Sequence, residues 1–309
     1  EEDIDFIHCH SPICSVLTRL AAKKKGARAI YTAHGFHFYD GAPVKNWLLF
    51  YPVEKHMSRY TDVLILLNEE DYNRASSRFY AKKTVKLNGI GIDLDRFAKP
   101  EHSLADAKRR ELGLSDDDIM LLSVGELIPR KDHETILRAL AILGDERLKL
   151  FICGIGPLGE ELQRLAAELG LGSRVRLLGY RSDIPELNAA ADGFIFSSIH
   201  EGMPVALMEA IASKTPVICS RIRGSVDLIK DEDSLYRTGD ATELAERIRE
   251  RFCEKSRSKI EDGQRDVTEE SYRRLQEYSK ERIDERMSKI YRQMVTDAQS
   301  GRYDPAQKR

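Results

Sequence analysis

The sequence has little that would mark a secreted, membrane-spanning or nucleic-acid-binding protein. Its five cysteines form no CxxC pair, and Cys153 and Cys219 lie in apolar runs, which indicates buried thiols of a reducing compartment. No apolar run approaches the roughly 18 residues of a membrane span, and no signal peptide is recognisable. The formal net charge of −2 gives no global basic field for nucleic acid or anionic membranes. We therefore expect a cytoplasmic protein.

The first residues of the chain run almost at once into a strand pattern. "EEDIDFIHCHSP" has no initiator methionine, and a domain rarely begins so close to its first strand. We therefore expect an N-terminally truncated chain. Its 309 residues are still enough for two domains of ordinary size.

Short apolar runs alternate with helical patterns along most of the chain. Nearly continuous apolarity is typical of parallel strands covered on both faces, and the alternation predicts right-handed strand–helix–strand units in doubly wound sheets. The predicted strands are "DFIHCH", "RAIYTAH", "DVLILLN" and "TVKLNGI", then "IMLLSVG", "LKLFICG", "VRLLGY", "GFIFSS" and "TPVICS".

A polar stretch at residues 96–118 separates the first four predicted strands from the rest, and we interpret it as a linker. The first domain is expected at residues 1–97 and the second at 98–271. The first sheet has about two strands fewer than a complete nucleotide-binding domain. Apolar residues at helical spacing predict a helix over 272–295, and the tail 296–309 is expected to be disordered.

The stretch "EGMPVALMEA" places two carboxylates, Glu201 and Glu209, in an apolar run. Pro204 favours a helix start near Met203–Pro204, whose free backbone N–H groups would attract an anion. A carboxylate can accept hydrogen bonds from two hydroxyls of a sugar diol, which would compensate for its desolvation. The alternative, that Glu201 caps the helix and Glu209 points to solvent, is equally compatible with the spacing.

Two further glycine turns follow predicted strands. "SVGELIPRKDHETIL" is a strand, a turn and a helix, with Arg130 and Lys131 beside the helix start, where they would suit a diphosphate. "ICGIGPLGEEL" adds Gly154 and Gly156, which let backbone approach a ligand closely. One such loop is a weak signal, but three at successive strand ends of one sheet indicate a ligand site.

Together these motifs resemble the retaining glycosyltransferases of family GT4, which have the GT-B fold of two Rossmann-like domains facing a cleft. "EGMPVALME" is similar to the family's E-x7-E motif, "GELIPRK" to its phosphate turn, and "CGIGPL" and "VRLLGYRSDI" to its base loops. "NGIGIDLDRF" and "IRGSVDLI" fit as well. The resemblance also implies that the helix over 272–295 returns to the first domain and packs on it. "YTAHGFHFYDGAPVKNWLLFYPVEKHMSRYTD" resembles the N-terminal half of bacterial capsular and exopolysaccharide transferases.

The resemblance implies roles for individual residues. Glu209 would hold the ribose diol, Glu201 the hydroxyls of the transferred sugar, and Lys131 would neutralise the departing diphosphate. His34, at the end of a strand of the first sheet, would approach the donor sugar or the acceptor. The base would lie near Tyr180 and Arg181, and the remaining expected donor-binding residues are Gly125, Gly154, Gly156, Gly202, Met203, Pro204 and Val205.

One position departs from the family pattern. The family usually has an arginine after the glycine of the phosphate turn, whereas this chain has Glu126. Either Glu126 turns away, where Arg130 is a partner that it could reach, or the site is impaired. We expect Arg130 to replace the lost arginine, because a guanidinium can bind phosphate oxygens with two hydrogen bonds.

The resemblance implies transfer from a nucleotide diphosphate sugar, expected to be a UDP-sugar, to a glycan or polyprenyl-linked acceptor. No metal or other cofactor is expected, and the acidic triplets "DID", "DLD" and "DDD" at 3–5, 93–95 and 116–118 are interpreted as structural or solvated. A nucleotide-sugar epimerase and an inactive donor-binding fragment are the rival interpretations. "KNWLLFYPVEKHMSRY" is either a membrane-surface segment or a core helix broken by Pro52.

Overall fold

The computed structural model describes residues 4–98, 102–254 and 267–299. It divides the chain into two compact units, residues 1–91 with 278–309 and residues 92–277. Part of the expected linker and most of the expected disordered tail lie outside the described residues. Residues 296–299 of that tail form the end of a helix.

The first unit contains a parallel sheet in which the strand order follows the sequence, β1-β2-β3-β4. Because consecutive parallel strands lie side by side, right-handed crossovers place the three connecting helices on one face of the sheet. The elements are β1 (Phe6–Cys9), α1 (Pro12–Lys25), β2 (Arg28–Ala33), α2 (Val44–Met57), β3 (Val63–Leu66), α3 (Glu69–Arg78), β4 (Lys83–Lys86) and α13 (Lys280–Gln299).

The alternation of side chains along β1 and β2 separates the two faces of this sheet. The face away from the connecting helices meets α13, where the Tyr291 ring stacks on Phe6 and Arg28 Nη1 donates to the Met294 carbonyl at 2.9 Å. All six residues of β2 are buried, as expected for a strand covered on both sides.

On the opposite face, a buried charge joins α1 to α2. Arg19 is 1% exposed, and its Nη2 lies 3.0 Å from Glu54 Oε2. The Tyr31 hydroxyl donates to the other Glu54 oxygen at 3.2 Å, and the guanidinium lies over the Tyr31 ring. Every charged group of this cluster has a partner, which a buried ion pair needs if it is not to destabilise the fold.

The second unit contains a six-stranded parallel sheet in the order β10-β9-β8-β5-β6-β7. The order reverses between β5 and β8, and such a switch point is where open α/β sheets bind ligands. The strands are β5 (Ile119–Val124), β6 (Leu148–Cys153), β7 (Val175–Gly179), β8 (Gly193–Phe196), β9 (Val217–Ser220) and β10 (Leu235–Tyr236). The helices are α4 (Leu94–Phe97), α5 (His102–Glu111), α6 (His133–Leu143), α7 (Gly159–Glu168), α8 (Ile184–Ala190), α9 (Val205–Ala212), α10 (Arg223–Leu228), α11 (Ala241–Ile248) and α12 (Val267–Leu275).

The expected linker is largely helical, and this corrects the sequence-based interpretation. α5 is tied to the second unit, since Lys108 Nζ lies 2.7 Å from Asp183 Oδ2 and Arg109 Nη1 lies 2.9 Å from Asp192 Oδ2. Its polar composition reflects a helix held by ion pairs, with few apolar residues to give a recognisable period.

The helix predicted over 272–295 is two helices, α12 and α13. They belong to different units, which divide between Glu277 and Tyr278. The Ser279 hydroxyl accepts from the Arg282 N–H at 3.4 Å, so Ser279 acts as the N-cap of α13. In the described parts of the chain, no helix combines the length and apolarity needed to cross a bilayer.

Removal of the Arg19 cation should destabilise the first unit. Arg19→Met leaves the Glu54 carboxylate buried without its cation, and we expect a loss of about 3 kcal/mol in unfolding free energy. Trp47, the only tryptophan of the chain, lies on α2, so its fluorescence during urea denaturation reports on this unit. The double variant Arg19→Met/Glu54→Gln should recover much of the loss, whereas exposed Lys24→Met should change little. An Arg19→Met variant as stable as the wild type would contradict the stabilising role assigned to the Arg19–Glu54 ion pair.

Candidate functional site

The loops that follow β5 and β6 are packed directly on each other at the switch point. Gly125 N–H donates to the Cys153 carbonyl at 2.9 Å, and Leu127 N–H donates to the Ile155 carbonyl at 3.0 Å. A Cβ at Gly154 would lie 1.9 Å from the Gly125 oxygen, and one at Gly156 would lie 2.5 Å from the Leu127 oxygen. These two glycines are therefore required by the contact between the loops, before any ligand is considered.

Lys131 lies at the end of a short 3₁₀ turn, Pro129–Lys131, directly before α6. Its aliphatic stem passes over Gly125, where an added Cβ would meet Lys131 Cδ at 3.2 Å. Its ammonium lies 2.7 Å from Glu201 Oε1 and 5.9 Å from the centre of the Phe196 ring. The lysine is thus held in place by its stem and by its charged end.

Arg130 reaches the same carboxylate oxygen. Its Nη1 forms an ion pair with Glu201 Oε1 and donates to the His200 carbonyl at 3.4 Å. The backbone supports this arrangement, because Ile199 N–H donates to the Arg130 carbonyl at 2.8 Å and the Ser197 hydroxyl donates to the Lys131 carbonyl at 2.7 Å. Arg130, Lys131 and Glu201 form one half-buried cluster with a net charge of +1, which we call the two-cation cluster.

The sequence left two alternatives for Glu126, that it turns away, where it could pair with Arg130, or that the site is impaired. Arg130 pairs with Glu201, so the pairing of Glu126 with Arg130 is not found. The Glu126 side chain is exposed, whereas Arg130 lies in the two-cation cluster. Glu126 therefore does not occupy the place between the two cations that an anion would take.

Glu209 lies in the second turn of α9 and is half-buried. Desolvation raises the pKa of its carboxyl group, and the nearby Arg96 partly opposes that shift. The Glu209 carboxylate forms no hydrogen bond or ion pair with any residue that the structure describes. Such a desolvated carboxylate is stabilised by a ligand whose hydroxyls donate hydrogen bonds to it.

The residues before α9 are positioned by buried neighbours. Gly202, Met203 and Pro204 are buried, whereas Val205 at the helix start is 42% exposed. α9 has no side-chain N-cap, so its first N–H groups have no side-chain acceptor. Arg223 Nε donates to the Glu201 carbonyl at 3.2 Å, and a Cβ at Gly224 would lie 2.7 Å from Pro204 Cδ.

Tyr180 and Arg181 follow β7, next to the β6 loop, and differ in availability. Gly154 N–H donates to the Gly179 carbonyl at 2.8 Å, which brings the ends of the two strands together. The Tyr180 side chain is 79% exposed and can stack on a planar ligand. Arg181 is held by Asp183 at 2.7 Å and by Glu111 at 3.1 Å, and these carboxylates raise the pKa of its guanidinium. Its role at a nucleotide base remains a prediction.

His34 belongs to the first unit, whereas the other predicted site residues belong to the second, and it lies within a group of three histidines. Its Nε2 is 3.1 Å from His10 Nδ1, and the His10 ring lies 4.2 Å from that of His8. His8 is fixed by the Tyr291 hydroxyl at 2.6 Å and the Thr32 hydroxyl at 2.8 Å. Desolvation and the neighbouring histidines lower the pKa of His8 to about 4, and desolvation and His10 lower that of His34. Both rings are therefore neutral near pH 7.

The sequence reasoning missed His133, which lies beneath the loop after β5 and contacts it. It is 4% exposed, and its Nδ1 lies 3.4 Å from the Ser123 hydroxyl. Burial lowers the pKa of His133 to about 4, while interactions with the backbone of Gly125 and Glu126 partly oppose the shift. The stretch "SVGELIPRKDHETIL" indicates that this histidine lies at a helix start, but nothing local in it indicates that the side chain is buried.

His133 should make the second unit sensitive to acid. Its pKa is about 4 when folded and 6.5 when unfolded, so the unfolded chain binds more protons between these values. Stability is thus retained above pH 6.5 and is lost as the pH falls towards 4, by roughly 2 kcal/mol between pH 7 and pH 5. His133→Asn should remove most of this loss, as measured by urea denaturation followed by circular dichroism at both pH values. Equal pH dependence in variant and wild type would contradict the prediction.

Comparisons with known proteins can now be set beside this geometry. The family described as "Glycosyl transferases group 1" matches residues 105–282, and "Glycosyltransferase Family 4" matches residues 1–96. EpsD of Bacillus subtilis (strain 168), named as a glycosyltransferase, is 40% identical over 259 residues, which are 81% of this chain and 68% of that protein. An Escherichia coli UDP-Gal:alpha-D-GlcNAc-diphosphoundecaprenol alpha-1,3-galactosyltransferase is 32% identical over 240 residues, covering 75% of this chain and 62% of that one.

Solved structures confirm the predicted fold. HepE of Anabaena in complex with UDP has a TM-score of 0.78 at 22% identity, over 94% of this chain and 79% of that one. Sucrose-phosphate synthase from Thermosynechococcus elongatus also has a TM-score of 0.78, at 21% identity, over 94% and 74%. At these identities the likeness establishes the fold alone, the GT-B type with two parallel-sheet units. Together with the family match over more than half of its length, it shows that the chain belongs to the group 1 glycosyltransferases.

Proposed function

We propose that the protein transfers a sugar, with retention of anomeric configuration, from a UDP-sugar to a glycan or polyprenyl-linked acceptor in cell-surface polysaccharide synthesis. The observation that carries this proposal is Glu209, a desolvated carboxylate one helix turn inside α9 that has no hydrogen-bond partner among the described residues. The two-cation cluster lies just before the same helix and suits a diphosphate. Together they match a ligand with hydroxyls at one point and phosphates at another.

The comparisons support the choice of donor and acceptor. HepE was solved with UDP and with UDP-glucose, and the E. coli relative is named for a UDP-galactose donor and a diphosphoundecaprenol acceptor. The exposed Tyr180 ring, next to the β6 loop, offers a surface on which a uracil base could stack.

The chemistry follows from the charges at the site. As the glycosidic bond loosens, negative charge builds on the diphosphate, and Arg130, Lys131 and the start of α9 would stabilise it. Each well-placed donor of this kind contributes roughly 3 to 4 kcal/mol. In this proposal the two cations move from Glu201 to the phosphate, which frees Glu201 to accept hydrogen bonds from the sugar, and no metal takes part.

Retention is proposed to occur by attack on the face from which the diphosphate leaves. Glu201 would bind hydroxyls of the transferred sugar and Glu209 would bind the ribose, so neither carboxylate is left to act as a covalent nucleophile. The departing phosphate oxygen would accept the proton of the acceptor hydroxyl, and His34 in the first unit would contact the donor sugar or the acceptor.

Glu209→Gln should weaken UDP binding by about tenfold or more, because hydrogen bonds to a charged group contribute about 1.5 to 3 kcal/mol. Calorimetric titration with UDP measures this loss. Glu126→Gln is the matched control, since Glu126 is an exposed carboxylate on the adjacent β5 loop, and its affinity should stay within about twofold of the wild type. Equal affinities of Glu209→Gln and wild type would exclude the ribose role.

Glu201→Gln should separate binding from transfer. It raises the charge of the two-cation cluster from +1 to +2, so UDP should bind as tightly as to the wild type or more tightly. Transfer from UDP-glucose or UDP-galactose should fall at least about tenfold, because hydrogen bonds to the sugar weaken. Proton NMR of the wild-type product should show that the new glycosidic bond has the same anomeric configuration as the sugar in the donor, as retention requires.

Other outcomes of these assays would favour the rival interpretations. Release of UDP and an altered free sugar without acceptor would indicate an epimerase. UDP binding without transfer to any acceptor would indicate a donor-binding fragment. A parallel loss of UDP affinity and transfer in Glu201→Gln would contradict the assignment of Glu201 to the sugar.

A further inference from the structure

α2 is apolar on both of its sides. Trp47, Phe50 and Tyr51 pack into the core of the first unit, with Phe36 and Phe38. The opposite side carries four exposed apolar side chains, which we call the outer α2 face. Their exposed fractions are 72% for Val44, 75% for Leu48, 61% for Leu49 and 43% for Val53.

The outer α2 face is continuous because the helix is unbroken. Val44 and Leu48 are one turn apart, as are Leu49 and Val53, so the four side chains form two neighbouring rows. Pro52 lies between them within the helix, which runs from Val44 to Met57. The sequence-based alternative was a core helix broken by Pro52. The packing of α2 on the core is found, but the break is not, since the helix continues through the proline.

A helix with apolar residues on both sides is usually buried on both sides. Contiguous exposed apolar side chains on a water-soluble surface mark a contact with another protein, a ligand or a lipid surface. The outer α2 face therefore requires a second apolar surface, and the charges around it indicate which kind.

Basic residues predominate in the stretch of sequence from β1 to just after α2. Residues 6–61 contain eight lysines and arginines and only two acidic residues, Asp40 and Glu54, although the whole chain has a formal net charge of −2. Glu54 is buried against Arg19, and Asp40 is paired with Arg74. Lys45 and Arg59 are exposed at the two ends of the helix, and Lys55 lies half-buried between them.

We propose that the outer α2 face docks on a bilayer that contains anionic phospholipids. The leucines and valines would enter the boundary between headgroups and acyl chains, and Lys45, Lys55 and Arg59 would meet the phosphates. Apolar side chains beside lysine and arginine are the features by which a surface helix binds anionic lipid. The inference rests on the proposed function only for the purpose of docking, which would be to bring the first unit to a lipid-linked acceptor.

The test is co-flotation of the full chain with lipid vesicles, without donor or acceptor. One set contains phosphatidylcholine alone and the other an equal mixture of phosphatidylcholine and phosphatidylglycerol. We expect binding to the anionic vesicles, weakened by salt. Leu48→Ser/Leu49→Ser should lower the partition coefficient at least about tenfold, because two exposed leucines lose their insertion. Lys45→Ser/Arg59→Ser should abolish mainly the preference for anionic lipid.

Ile142→Ser is the matched control, because Ile142 on α6 is 50% exposed but lies in the second unit. It should leave vesicle binding unchanged. Far-UV circular dichroism checks that each variant is folded, which is expected since the substituted side chains are exposed. Binding by the double leucine variant equal to that of the wild type would overturn the proposal, as would no binding by the wild type.

Sedimentation equilibrium tests the main alternative occupant of the outer α2 face, which is a second copy of the chain. If the wild type self-associates and the double leucine variant does not, while neither binds vesicles, the outer α2 face is a contact between copies of the chain and the proposal is wrong. Vesicle binding without sugar transfer would leave this inference standing and count only against the proposed function.

Discussion

One carboxylate oxygen, Oε1 of Glu201, holds the candidate site together. It receives both Arg130 and Lys131, which come from the loop after β5, whereas Glu201 comes from the loop after β8. These strands flank the point where the strand order of the sheet reverses. The ion pairs therefore join the two loops that a ligand at this position would have to contact. The Ser198 hydroxyl donates to the same oxygen at 3.3 Å, and Arg223 holds the backbone of Glu201 from the other side.

This arrangement forms a site for an anion at little cost in folding free energy. Two cations near the start of an uncapped helix would repel each other in a half-buried setting, and Glu201 offsets that repulsion. Gly125 leaves room for the lysine stem, and the Gly154 and Gly156 contacts keep the β5 and β6 loops in register. The fold thus places positive charge at the strand ends, and Glu209 lies one turn inside α9, where its carboxylate has no hydrogen-bond partner among the described residues.

The elements that the sequence predicted well are those with a strong local signal. All nine predicted strands are present, because buried parallel strands are continuous apolar runs. β10 was missed because it has only two residues, Leu235 and Tyr236. α5 was taken for a linker because ion pairs, and few apolar residues, hold it in place. The helix over 272–295 was not divided at Ser279, since the apolar period continues across the N-cap.

In the candidate site, too, the sequence predicted what local motifs encode and missed what depends on contacts between distant residues. The residues that the motifs named at strand ends, such as Lys131 and Glu201, meet in the structure because parallel strands end at a common edge. Which partner Arg130 selects, Glu126 or Glu201, depends on a contact between residues 71 positions apart, and no local pattern encodes it. His133 and Arg223 lie in stretches that the motifs included, but no local pattern shows that their side chains contact the backbone of the site.

The central claim, that one sugar nucleotide is bound by both the two-cation cluster and Glu209, is tested most directly by a crystal structure with UDP. The account predicts that the Glu209 carboxylate accepts hydrogen bonds from both ribose hydroxyls, while Lys131 and Arg130 contact the diphosphate in place of Glu201. A complex in which the ribose lies away from Glu209, with both cations still on Glu201, would contradict it.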